Sequence, residues 1–344
     1  MVISRPATER ADLSHIAYGF MASKALFAAL EIGIFTLLAD RARTPAELSA
    51  QTGVASNRLR TLLHALAGLR LVVPEGTGYA NAPVSQRYLV RGAPDDFGDY
   101  FRLQVGGQIY PALLHLDQGI NGTGQPFDTL SGLLACPDEA HRFTVAQHVG
   151  SLAAARALAD RIGLTGATRL LDVGGGSGAF SMAFCERAQD LRATVLDLPA
   201  VIEVTRAYRA EADMAGRIDL VAGDAVRTAW PDGQDVVLMS YLLSALSDKG
   251  PDSEIDGVLA KAHACLNPGG LLIIHDFMLD DPGPGPTWAT LWFLQYLAYQ
   301  PDAVSFSAAD LGGRLRRAGF TPELPFVLVP DLTKVILARK EVSR

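Results

Sequence analysis

Leu170-Leu171-Asp172-Val173 runs directly into Gly174-Gly175-Gly176-Ser177-Gly178, and an apolar pattern resumes from Phe180 to Phe184. An apolar run, a glycine loop and a second run of helical period predict a buried parallel strand, a tight turn and a helix. Glycine permits positive φ and close approach, and the N–H groups at a helix start face outward. Together they form the floor of a nucleotide-type pocket.

Two ligands compete for that floor. Gly174, Gly176 and Ala179 also satisfy the dinucleotide fingerprint, in which a pyrophosphate sits on the helix N-terminus. The nearby acids argue otherwise, since Asp172, read as standing inside the turn, would repel a pyrophosphate and suit a cationic or amine-bearing ligand. A second acid, Asp197, ends the next apolar run, Ala193 to Leu198, 25 residues after Asp172, where a carboxylate can accept two ribose hydroxyls. Asp224 follows the run Ile218 to Val221, placed to accept from an adenine amino group.

Three carboxylates at successive strand ends around one glycine loop resemble the class I S-adenosylmethionine-dependent methyltransferases, whose ligand is a sulfonium cation with an amino acid tail. The resemblance implies S-adenosylmethionine as cofactor, cradled by Asp172, Gly174, Gly176, Gly178, Asp197 and Asp224. It adds Leu198, Ala225 and Ser240 beside them.

The chain has 344 residues, 49% of them hydrophobic, and a net charge of −7. That suits two domains with ample core and disfavours general attraction to nucleic acid or to a membrane surface. Cys136, Cys185 and Cys265 show no CxxC spacing and read as buried thiols in a reducing compartment. Met1–Leu13 lacks an apolar leader, and the longest apolar stretch, Ala25–Leu38, is interrupted by Glu31 and too short to span a bilayer. A cytoplasmic protein is expected.

Amphipathic helices are predicted over about Leu13–Leu30 and Ile34–Ala39. Thr44-Pro45-Ala46-Glu47 supplies a capping box for a helix ending at Gly53. Ser56 is read as the cap of a helix with Leu59, Leu62, Leu63, Leu66 and Leu69 on one face, and Leu71-Val72-Val73 with Tyr79 frames a hairpin across Glu75–Gly78. The pattern is that of a winged helix, over residues 1–95. Residues 1–94 carry ten Lys and Arg against six Asp and Glu, yet only Arg58, Arg60 and Arg70 mark the second helix, so a structural use is favoured over DNA binding.

In the small-molecule O-methyltransferases of plant caffeate, acetylserotonin and bacterial antibiotic type, which this chain resembles over nearly its whole length, such a domain dimerises the protein. The resemblance implies a homodimer with intertwined N-terminal helices, and residues near His15, Tyr18 and Phe20 reaching the partner's pocket.

A helical linker is expected over 96–165, with a turn cluster at Asn121–Pro126, and Phe143–His148 preceding a helix that leads into the glycine loop. By resemblance Phe143 and Gln147 line the acceptor pocket and Ser151 meets the cofactor's carboxylate. Residues 166–344 alternate strands with helices, predicting an α/β doubly wound parallel sheet. Strands are expected at Arg169–Val173, Thr194–Asp197, Ile218–Ala222, Val236–Ser240 and Leu271–Phe277. Leu266–Leu271 reads as a tight turn, and a reversed hairpin edge is expected at about Pro322–Leu328 and Lys334–Arg339.

Ser240-Tyr241-Leu242-Leu243-Ser244-Ala245 departs from the family pattern. Ser244 stands where these enzymes hold the histidine that deprotonates the acceptor, and a serine hydroxyl cannot accept a phenolic proton. The second assisting acid, expected near Ser305, is missing as well. Asp276 stands where the family has an assisting glutamate and is the preferred base, with His148 the outside candidate; His275 points to the opposite side of its strand. Trp288, Trp292, Phe293, Tyr296 and Tyr299 recur at helical spacing, with Gln295 among them, and the Trp292–Tyr296 face together with Tyr241 is assigned to an aromatic acceptor.

Methyl transfer to a hydroxylated aromatic of secondary metabolism, at oxygen or at a ring carbon, is the leading reading. A cofactor-retaining hydroxylase, decarboxylase or pericyclase and a DNA-binding or ligand-sensing dimer are the alternatives. No metal is assigned, because Asp248, Asp252, Asp276, Asp280 and Asp281 read as loop acids.

Overall fold

Asp12 fixes where the first helix begins. Its Oδ2 accepts from the backbone N–H groups of Thr8 and Glu9 at 3.0 and 3.2 Å, and α1 runs from Arg10 to Ile32, longer than predicted, until Gly33 turns left-handed at φ 80°. In the computed structural model, which describes residues 6–121, 132, 134–248, 253–283, 285–298 and 305–342, the chain divides into two units, Met1–Tyr110 and Pro111–Arg344. Of the sequence assignments above, the Gly122–Pro126 part of the turn cluster, Asp252 and Tyr299 lie outside the described residues.

The reading of Ala25–Leu38 as the longest apolar stretch needs correction. Helix α1 joins Leu13–Met21 to Ala25–Ile32, and an 18-residue window of it has mean hydropathy 1.2 with 17% buried. It is long and apolar enough to cross a membrane by length and composition alone.

Helix α2 (Pro45–Thr52) has the predicted capping box, Thr44 and Glu47 each receiving the other's backbone N–H, and ends at Gly53 with φ 72°. Helix α3 (Ser56–Gly68) is capped differently from the prediction. Ala55 is its N-cap, so Ser56 lies inside the first turn, where its hydroxyl makes no cap bond. Leu59, Leu63 and Leu66 are buried, whereas Leu69 falls past the helix end and is exposed. Strands β1 (Val72–Glu75) and β2 (Gly78–Asn81) form the antiparallel hairpin. Residues 100–109, assigned to the linker, form a π-helix in this first unit, and Gly106 lets it lie against α1, since a Cβ there would sit 2.8 Å from the Phe27 ring.

In the second unit a short helix, Leu116–Asn121, precedes the long α4 (Pro137–Arg161). Pro137 at its first position and Asp138 and Glu139 in its first turn are start signals that place Phe143 inside this helix rather than before it. Cys136, expected to be buried, caps α4 and is exposed. Then follow β3 (Arg169–Val173), α5 (Ala179–Arg187), β4 (Arg192–Asp197), α6 (Pro199–Glu211), β5 (Ile218–Ala222), β6 (Gln234–Ser240), α7 (Glu254–Cys265) and β7 (Leu266–Phe277). After these come α8 (Thr287–Tyr296), α9 (Ala308–Arg317), β8 (Phe320–Pro322), β9 (Phe326–Val329) and β10 (Thr333–Lys340).

One sheet has the order β5-β4-β3-β6-β7-β10-β8, with β9 also on β10. The first five of these strands are parallel, while β10 runs antiparallel to β7, β8 and β9. The reversed edge is thus present, built from the eight-residue β10 and two short strands, β8 and β9, instead of two strands. Leu266–Leu271 is no turn before β7 but a bulge within it. Gln234 pairs with Leu266 and Val236 with Leu271, and Gly269 at φ 77° absorbs the extra residues. Buried apolar side chains cover both faces: Val173, Val237 and Ile274 belong to one core, Leu170, Leu238 and Ile273 to the other.

Candidate active site

β3 ends beneath a cradle of glycines. Gly174, Gly176 and Gly178 have φ of 67°, 56° and 81°. A Cβ on Gly174 would stand 3.0 Å from Leu242 Cδ1, and one on Gly175 would meet the Asp172 carboxyl carbon at 2.7 Å. Around Gly176 nothing lies within 4 Å, so the cradle is open there. Gly178 caps α5 without a side-chain acceptor, leaving the helix's first N–H groups to a ligand.

Asp172 lies within β3 and under the loop, not inside the turn. It is 1% exposed, its Oδ2 accepts from Ser181 Oγ at 2.7 Å, and its Oδ1 is buried with no partner. Burial pushes its pKa up to about 7, against the opposing pull of the Ser181 hydrogen bond. Asp197 accepts from Gly176 N at 2.8 Å and Leu198 N at 2.7 Å, one bond on each oxygen. Each oxygen keeps a second acceptor position, which suits a ribose diol. Burial raises its pKa to about 6, and the two N–H groups act against that rise. Asp224 Oδ1 accepts from Val226 N at 2.8 Å.

Sequence reasoning missed the group that holds the Asp224 loop. Lys261 on α7 donates to the carbonyls of Ala225, Val226 and Thr228, and Trp230 Nε1 donates to Ala225 O at 2.9 Å. A single lysine in an otherwise apolar stretch, Val258–Ala262, was the only available signal. The orphaned Asp172 Oδ1, the open glycine cradle and three acids on consecutive strands fit S-adenosylmethionine. Asp197 would take the ribose, the Asp224–Ala225 loop the adenine, and Asp172 with the cradle the cationic tail.

Across Leu242 from the cradle lies the second cluster. Ser240 Oγ meets His275 Nδ1 at 2.9 Å, and His275 Nε2 meets Thr333 Oγ1 at 2.8 Å. Burial pushes that imidazole down to about 3, so it is neutral and structural, and Ser240, a cofactor candidate, is bound to it. On the opposite side of β7, Asp276 is fully buried. It accepts from Ser244 N at 3.1 Å and Phe277 N at 2.8 Å, and Ser244 also bonds to it through its side chain. Burial raises the pKa of Asp276 to about 6 despite these donors. Ser244 Oγ lies 3.4 Å from Tyr296 Oη on α8. Trp292, one turn earlier, packs on Phe277 with ring centroids 5.2 Å apart, and Phe277 on Tyr241 at 5.1 Å. Tyr241 holds φ 56°, an uncommon state for a residue with a side chain.

The α4 candidates stand elsewhere. His148 Nδ1 meets Ser177 Oγ at 2.8 Å and its ring stacks on Tyr208 at 3.8 Å. Burial and Arg156 lower its pKa to about 4. These contacts tie it to the glycine loop and α6, not to the Ser244–Asp276 corner. Phe143 packs against the cluster of Leu134, Ala140 and Val201, to which Leu198 also belongs. Gln147 is half-buried and Ser151 buried on the same helix. Asp248 pairs with Arg314, Asp280 with Lys334, and Asp281 caps Ala309 N. Among the described residues no group of three His, Cys, Asp or Glu could hold a metal ion.

Residues 134–321 match the O-methyltransferase domain family and residues 14–91 the O-methyltransferase dimerisation domain. The chain is 31% identical over 289 residues to the 3-hydroxy-5-methyl-1-naphthoate 3-O-methyltransferase of Streptomyces sahachiroi, spanning 83% of this chain and 82% of that one. With bovine acetylserotonin O-methyltransferase it shares 30% identity over 325 residues, 90% and 91% of the two chains. The crystal structure of human N-acetylserotonin methyltransferase in complex with SAM superposes with a TM-score of 0.86 at 22% identity, covering 98% of this chain and all of that one, a likeness of fold. A glycine cradle ringed by three strand-end acids and matches along both units lead to one conclusion: the chain belongs to the O-methyltransferase family and is an S-adenosylmethionine-dependent methyltransferase with a dimerisation domain.

Proposed function

We propose that this enzyme methylates a hydroxyl group on a planar aromatic intermediate of secondary metabolism, with hydroxynaphthoates the first class to try. The observation that carries the reading is the pair of half-buried rings Tyr241 and Trp292, both packed over the buried Phe277, beside the polar pair Ser244–Tyr296. Flat rings suit such a surface, and a hydroxyl on the ring would stand against that polar pair. When bound, S-adenosylmethionine supplies an electrophilic methyl on a sulfonium sulfur.

This chain's residues supply orientation. Holding acceptor and methyl in line gives effective molarities of about 10⁵ M or more, several kcal/mol of barrier without a strong base. Ser244 in the histidine's place supports a second reading, transfer to the ring carbon beside a phenolate oxygen. Incubation of the dimer with trideuteromethyl-labelled cofactor and 3-hydroxy-1-naphthoate tests both readings. S-adenosylhomocysteine should form in step with a product whose label NMR places on oxygen. Label on carbon would select the second reading, and no transfer to any phenol in a panel would sink both.

A further inference from the structure

Asp276, the acid nearest the missing imidazole, cannot touch an acceptor. It is fully buried, and its partners are the backbone N–H groups of Leu243, Ser244 and Phe277 and the side chain of Ser244. Ser244 is itself buried, but its Oγ lies within reach of Tyr296 Oη, and Tyr296 is half-buried on the helix that carries Trp292. Ser244 therefore stands between an enclosed carboxylate, held through its backbone N–H, and a phenol one turn from Trp292.

We propose that Tyr296, Ser244 and Asp276 form a proton relay that removes the acceptor's hydroxyl proton, replacing the family's imidazole. The relay rests on transfer to oxygen, proposed above. The acceptor oxygen's lone pair forms the bond to the methyl carbon, and the old carbon–sulfur pair stays on sulfur, cancelling its positive charge. At rest the Ser244 hydroxyl donates to Tyr296 Oη; once it turns to Asp276, the acceptor proton passes to Tyr296 Oη, the Tyr296 proton to Ser244 Oγ and the Ser244 proton to Asp276, which ends as a neutral acid. Charge is conserved, and neither hydroxyl has to hold a charge alone.

The surroundings of Asp276 suit the terminal position. Its raised pKa, about 6, follows from burial, so the carboxylate is ionised at neutral pH yet readier to take a proton than an exposed one. Lys334, its cross-strand partner on β10, directs its ammonium to Leu279 O and Asp280 instead. The turn over residues 243–245 contributes N–H groups and the Ser244 hydroxyl, and α8 contributes Tyr296.

The test compares wild type, Tyr296→Phe and Ser244→Ala on two acceptors, 3-hydroxy-1-naphthoate and a nitro-substituted hydroxynaphthoate already ionised at the assay pH. Each variant removes one oxygen, and Ser244→Ala retains the backbone N–H to Asp276. With the un-ionised acceptor kcat should fall about 100-fold in both variants. With the ionised acceptor it should fall less than about threefold, because no proton has to leave. Wild-type kcat on the un-ionised acceptor should rise with pH through an inflection near 6, which Ser244→Ala abolishes. Equal losses on both acceptors, or none on either, would overturn the relay while leaving methyl transfer intact. Failure of the wild type to methylate either compound would overturn transfer to oxygen itself.

Discussion

At Gly174 two independent constraints meet: φ is 67°, and a Cβ would press on Leu242 at 3.0 Å. Gly176 shares the positive φ, at 56°, but has open space around it. The pair separates backbone strain from steric filling. Left-handed backbone costs an L-residue about 1–2 kcal/mol, so Gly176→Ala should weaken S-adenosylhomocysteine binding by at most about 30-fold in calorimetry if strain alone acts. Gly174→Ala should weaken it further, because Leu242 must also shift. Equal losses at the two positions would show that Leu242 does not close the cradle. Such residues were legible because their constraint is local: glycine spacing and strand-end acids are written in consecutive positions, and the alternation of side chains already separated His275 from Asp276. Phe143 and His148 were not legible in this way. Their places depend on which neighbours α4 meets, the cluster around Val201 for one and Ser177 and Tyr208 for the other, and no local pattern carries that information.

Among the elements, the loop after β5 depends on a helix far along the chain. Lys261 uses its ammonium on three carbonyls of residues 225–228, and Asp224 also favours its charge, opposing the lowering of its pKa by burial. Removing the ammonium would take that donor from the Val226 and Thr228 carbonyls, each at the cost of about 1 kcal/mol or more, while Ala225 O keeps the Trp230 indole N–H. Lys261→Met should therefore raise the Kd for S-adenosylhomocysteine about tenfold or more, with kcat at saturating cofactor little changed. If Asp224 reads the adenine amino group, the variant should also lose selectivity over S-inosylhomocysteine, which carries a carbonyl there. Retained selectivity with weaker binding would assign Lys261 to general stability. Element boundaries were legible where caps announce them, as at Thr44 and Glu47, and failed where pairing decides. The bulge in β7 and the split between β8 and β9 are set by register against β6 and β10, which a single strand's sequence does not contain.

At the scale of the whole molecule, α1 carries an apolar face that its own protomer leaves exposed. Leu13, Ile16 and Phe20 recur at helical spacing and are 62%, 66% and 51% exposed within one protomer, and they belong to or adjoin the matched dimerisation domain at 14–91. Composition made an amphipathic N-terminus evident, and an exposed apolar face of this width within a dimerisation domain fits a contact with a second chain. Burying side chains of this size contributes about 1.5–3 kcal/mol each, so two copies of the face hold enough apolar area to matter for assembly. Ile16→Asp would place a charge in that contact on both protomers and should weaken the dimer about 100-fold or more. Light scattering on a size-exclusion column should then report monomer at micromolar concentration where the wild type reports dimer. A variant that remained dimeric would move the interface off α1, whereas one that became monomeric and bound lipid vesicles would show the same face finding another apolar surface.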